Sequence, residues 1–159
     1  MIPDHIDFPG SPWPVLPPGI HVATLAEVEL RFASNPKRRV QFKGLVAALT
    51  GLRGAGCRRA FLDGSFVTAK PHPGDFDACW DPTGVDGALL DPVLLTFDNN
   101  RAAQKVKYQG ELFPSAIPAD RAGTIFIEFF QVDRFTGARK GIVAIDLSAD
   151  PMLQPTVTS

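Results

Sequence analysis

The apolar residues change period at Gly54-Ala55-Gly56, where two helices give way to the first strands. Before that point Thr24 stands three residues ahead of Glu27, a capping-box pattern that opens a helix carrying Leu25, Val28 and Phe32 on one side. Asn35-Pro36 ends it and caps a second helix running to about Leu52, with Val40, Leu45, Leu49 and Leu52 inward. Beyond the glycines, Arg59–Leu62 reads as a short strand, and Asp75–Trp80 alternates as another. Residues 81–92 read as loop, 92–108 as one or two short helices, and 109–123 as turns around Pro114 and Pro118. Thr124–Val132 is the strongest strand signal, and a hairpin turn centred on Thr136-Gly137 leads into a last strand over Gly141–Leu147. This is a single α/β (α+β) domain.

Residues 1–20 are rich in proline, which removes amide donors and fixes φ, so an extended segment is expected. Its apolar residues imply that it lies against a domain over 21–147, with 148–159 a peripheral tail. Net charge is −1, which excludes a global cationic field for nucleic acid. Cys57 and Cys79 lack metal-site spacing and read as unpaired core thiols in a reducing compartment. The N-terminus has no cationic stretch leading into a continuous apolar run, and no segment reaches a membrane-spanning length. A soluble, cytoplasmic protein is expected.

The chemistry concentrates in Leu62-Asp63-Gly64-Ser65 and, about ten residues later, Asp75-Phe76-Asp77. Side chains two apart on a strand share a face, so Asp75 and Asp77 project together and repel unless a cation sits between them. Such an oxygen-rich site suits Mg²⁺ or Mn²⁺ bridged to substrate phosphates. Gly64 permits close backbone approach, and Ser65 adds a hydroxyl beside amides that can hold phosphate.

Gly-Ser followed by Asp-x-Asp, after a helix and a short strand, resembles the signature of the nucleotidyltransferase (DNA polymerase β-like) superfamily. The stretches GSFVTAKPHPGDFD, FFQVDRFTGARKGIV and TLAEVELRF resemble a bacterial family of small nucleotidyltransferase-like proteins of DUF6932 type, over roughly residues 17–147. The resemblance implies a minimal mixed β-sheet with helices packed mainly on one side. It also implies two Mg²⁺ ions that position a nucleoside triphosphate such as ATP for transfer of its nucleoside monophosphate. The acceptor would be a hydroxyl of protein, RNA or a small molecule, in a toxin–antitoxin or defence setting with a partner toxin or antitoxin.

Carried over, Gly64 and Ser65 would contact phosphates, and Asp75 and Asp77 would ligate metal. A third catalytic carboxylate is expected on a neighbouring strand. Glu128, between Ile127 and Phe129, matches best, with Asp146 the competitor and Asp133 a weaker one. Lys70 and Lys140 are candidates for the triphosphate, although each could be a solvated surface lysine. His72, alone between two prolines, is a poor metal ligand. Lys37-Arg38-Arg39 and Arg58-Arg59 read as solvated charges. The alternative to an enzyme is a fold-sharing module that binds nucleotide or a partner protein and transfers nothing.

Overall fold

Thr24 opens the first helix as its spacing to Glu27 requires. In the computed structural model, which describes residues 1–154, the Glu27 amide donates to the Thr24 hydroxyl and the Thr24 amide to the Glu27 carboxylate. Helix α1 (Leu25–Phe32) buries Leu25, Val28 and Phe32. Asn35 caps α2 (Pro36–Gly54) by accepting from the Arg38 amide, and Leu45, Leu49 and Leu52 face inward. Val40, expected inside, is 54% exposed.

A five-stranded mixed sheet receives these helices. Its strands are β1 (Gly19–Val22), β2 (Arg59–Asp63), β3 (Phe76–Trp80), β4 (Gly110–Pro114) and β5 (Gly141–Asp146), in the order β1-β5-β2-β3-β4. β2 runs antiparallel to both β3 and β5, whereas β3–β4 and β1–β5 are parallel. Alternation sorts the side chains. Ala60, Leu62, Phe76, Ala78, Trp80, Leu112, Val143 and Ile145 join the helices in the main core. Each large apolar side chain so buried contributes roughly 1.5–3 kcal/mol of gross transfer energy. Phe61, Cys79, Ile142 and Ala144 face the other way into a smaller cluster with Phe130.

That second face explains the largest departure from expectation. Thr124–Val132 is not a strand. It holds only a short helix, α4 (Phe126–Phe129), between isolated bridges Pro118–Ile125 and Val132–Arg139. Its aromatic residues cover the sheet: Phe126 stacks on Phe113 with centroids 4.1 Å apart, and Phe130 is buried against the second cluster. A short run that is apolar at almost every position suits either arrangement, and here packing decided it.

Two strands were hidden. β4 lies within the segment expected to be turns, because Gly110 and Pro114 read as breakers. At a sheet edge both are tolerated. An added Cβ at Gly110 would lie 2.4 Å from the Phe76 ring, so close packing requires glycine there. β1 begins at Gly19, so the body of the fold starts before residue 21 and the expected boundary cuts this strand. Val15 and Leu16 are buried, and Pro14 accepts from the Ala69 amide. Nor is the segment after Ser148 merely peripheral. Asp150 accepts from the Leu25 amide at the start of α1, and Leu153 is in the main core. Residues 155–159 of the expected tail lie outside the described residues.

Candidate metal and nucleotide site

Strand register builds the site. Asp63 pairs with Asp77 across β2–β3, and Asp77 with Glu111 across β3–β4. Adjacent residues of a strand point to opposite faces, and Leu62, Ala78 and Leu112 belong to the main core. Asp63, Asp77 and Glu111 therefore stand in one row on the second face. Asp75, two residues before Asp77, joins them at the mouth of β3. One carboxylate oxygen each from Asp75, Asp77 and Glu111 lies within 4.8 Å of the other two.

The Gly-Ser bend abuts this cluster. Gly64 has φ +76° and ψ −167°, a conformation essentially confined to glycine. A Cβ there would lie 2.0 Å from Asp77 Oδ2, so the bend needs glycine for both backbone and space. Ser65–Val67 then forms a 3-10 turn. On the far side of the row Lys140 Nζ lies 2.5 Å from Asp63 Oδ1, with both side chains about 90% buried (11% and 10% exposed). Lys140 thus reaches the site through Asp63 and is not a solvated hairpin lysine.

Helix α2 ties down the loop joining the two halves of the motif. Asn35 Nδ2 donates to the Pro71 carbonyl, and Gln41 Nε2 to that of Pro73. Between them the Arg38 guanidinium donates to the carbonyls of Phe32, Ser65, Phe66, Thr68 and Lys70. Asn35, Arg38 and Gln41 are spaced three apart and so share a face. The solvated reading of Arg38 is corrected: it is 3% exposed. Only its place in that polar stripe could have signalled this, since a run of three basic helix residues otherwise reads as surface.

Charge is unevenly distributed. Burial, the hydrogen bond to Glu111 and the nearby Asp63, Asp75 and Glu111 carboxylates push Asp77 well above the usual carboxylate range. Burial pushes Glu111 the other way from its net shift. Hydrogen bonds from Arg101, Asp77 and Lys105 prevail and hold it below its ordinary value. Of the pair, Asp77 thus holds a shared proton more tightly than Glu111. Burial and the Glu111 charge raise Asp75, and burial raises Asp63 against the pull of Lys140. Two carboxyls in this cluster hold protons more tightly than usual, and all its donors are oxygens. Such a set fits a hard divalent cation, which would displace the shared proton.

The structure does not bring Glu128 to this cluster. It lies on α4, more than half exposed, with its carboxylate 3.6 Å from Arg139 Nη1. Asp146 stands opposite Arg59, four residues along β2 from Asp63, or roughly 13 Å at about 3.3 Å per residue. There it accepts from the Ser148 and Ala149 amides. Asp133 caps its own turn through Thr136. The carboxylate that lies beside the pair is Glu111, concealed in sequence because β4 was concealed. Lys70 lies over the Trp13 ring, with Nζ 5.8 Å from its centroid, and His72 is exposed.

Fold and site together define an α+β domain with an acidic row at one end of a mixed sheet, closed by a glycine bend. The chain belongs to DUF6932, a family of unknown function, whose model matches residues 7–146 and so spans every strand and the whole acidic row. No curated protein and no solved structure matches it. No helix among the described residues is long and apolar enough to cross a membrane.

Proposed function

We propose that this chain is a nucleotidyltransferase that moves a nucleoside monophosphate from a triphosphate such as ATP to a hydroxyl of protein, RNA or a small molecule. The observation that carries the reading is the convergence of Asp75, Asp77 and Glu111 against the Gly64 bend. These carboxylates would hold Mg²⁺ or Mn²⁺. When bound, the ion would neutralise phosphate charge and favour the ionised acceptor hydroxyl. Asp77 would have to be ionised to ligate the ion, and Gly64 would let the chain approach a phosphate without a side chain intervening. Lys140 pairs with Asp63 and offsets part of that fourth acid's charge beside the cluster. Arg38 and Gln41 hold the 65–73 loop at a fixed distance from the cluster, so its geometry is set before substrate arrives.

One observation favours a second reading, a module that binds nucleotide or a partner protein without transfer. Glu111 Oε1 already accepts from Arg101 and is paired with Lys105. Incubation with labelled nucleoside triphosphates, Mg²⁺ or Mn²⁺, and cell extract separates the two. Label transfer by the wild-type chain that is lost in Asp77→Asn supports the enzyme, and nucleotide binding without transfer supports the module.

A further inference from the structure

Glu111 is held in an unusual way for a metal-binding carboxylate. Its Oε1 alone receives Arg101 Nε at 3.0 Å and Nη2 at 2.8 Å, and Lys105 Nζ lies 3.2 Å from the same atom. A carboxylate offers about four lone-pair sites over two oxygens, so three donors saturate Oε1. The Arg101 guanidinium is further fixed over the Phe113 ring, at 5.7 Å from its centroid. Phe113 is itself stacked between Phe97 and Phe126.

The backbone is bent to put Arg101 there. Asn99, Asn100 and Arg101 take φ of 53°, 56° and 59° within α3 (Asp98–Tyr108). Asparagine visits this left-handed region readily, but arginine does so at a cost. Strain of this kind persists where surrounding contacts fix the residue. With Asp77 ionised, as it must be to ligate a cation, three carboxylates against these two cations leave the cluster one net negative charge. One divalent cation reverses that charge. A second, within about 4 Å of the first, would press against the guanidinium and ammonium groups.

We propose that Arg101 and Lys105 take the place of a second metal ion, so that the site binds one divalent cation through Asp75, Asp77 and the remaining oxygen of Glu111. This rests on reading the cluster as a divalent-cation site, and it departs from the two-ion arrangement expected from the family resemblance. The two cations are positioning residues: they orient Glu111 and supply fixed positive charge.

The test counts Mn²⁺ bound to the full chain, by electron paramagnetic resonance of free Mn²⁺ during titration with MnCl₂. One Mn²⁺ per wild-type chain is expected, and none in Asp75→Asn/Asp77→Asn. Arg101→Gln/Lys105→Gln should bind its first Mn²⁺ at least about tenfold more tightly and admit a second, and Arg101→Lys should stay at one. Two Mn²⁺ in the wild type would overturn the inference while leaving the metal site standing. So would a folded double variant whose titration matches the wild type. No Mn²⁺ at all would overturn the metal site, and the inference with it. The wild-type count decides the matter even if the double variant does not fold.

Discussion

Gly64→Ala probes both the bend and the acidic row. At φ +76° and ψ −167° any side chain is strained, at about 1–3 kcal/mol. The new Cβ would also lie 2.0 Å from Asp77 Oδ2 and 2.9 Å from its Cγ. Because Asp77 is on a strand packed on both sides, its carboxylate must turn off its rotamer, at about 0.5–1.5 kcal/mol, and give up its hydrogen bond to Glu111. That hydrogen bond contributes about 1.5–3 kcal/mol. A loss of roughly 3 kcal/mol or more follows, which lowers Tm by about 6–12 °C in a domain this size. Two controls separate the causes. Gly123→Ala keeps the positive φ (+83°) with no atom within 4 Å, and Gly74→Ala has neither strain nor contact. In urea denaturation Gly74→Ala should match the wild type, Gly123→Ala should show strain alone, and Gly64→Ala should exceed it. Gly64→Ala should also lose Mn²⁺ affinity. A Gly64→Ala protein no less stable than Gly123→Ala, binding Mn²⁺ normally, would refute the placement of the bend against Asp77.

Arg38→Met strips five carbonyls of their shared donor and should destabilise the fold by at least about 3 kcal/mol in urea denaturation. Arg38→Lys should recover only part of it, since an ammonium cannot reproduce the fork. Asp77→Asn should raise Tm of the metal-free protein, because an amide can keep a hydrogen bond to Glu111 without charge in the row. The pH dependence has a definite sign. The folded-state value of Asp77 is raised, so its contribution is present below the ordinary value of 3.8 and is lost as pH rises through the folded value. Asp77→Asn should remove that part of the decline in a pH series of melting curves. Both cysteines are free and buried, and burial raises the Cys57 thiol to about 11 and Cys79 further. Neither should react with a thiol reagent at pH 8 in the native protein, and both should titrate in denaturant; rapid native labelling would contradict the packing.

What could be read from sequence was local. The Thr24–Glu27 and Asn35–Pro36 caps marked both main helices because capping is a contact between near neighbours. Gly64, Asp75 and Asp77 were legible for a similar reason: their order and the two-residue repeat of a strand place the acids on one side. Glu111 was not, because its role depends on β4 lying beside β3, and nothing near Gly110 or Pro114 declares that pairing. Glu128 looked better placed because a carboxylate between Ile127 and Phe129 suits a strand, whereas those residues form a turn of helix that caps the second face. Arg38 was read as solvated because its carbonyl partners, apart from Phe32, lie 27 or more residues away.

The most direct test of the metal site is anomalous X-ray diffraction from crystals grown with MnCl₂. A single Mn²⁺ peak is expected about 2.2 Å from oxygens of Asp75, Asp77 and Glu111, beside the Gly64 bend. A peak held instead by Glu128 or Asp146, or crystals saturated with Mn²⁺ that show none at the row, would contradict the account.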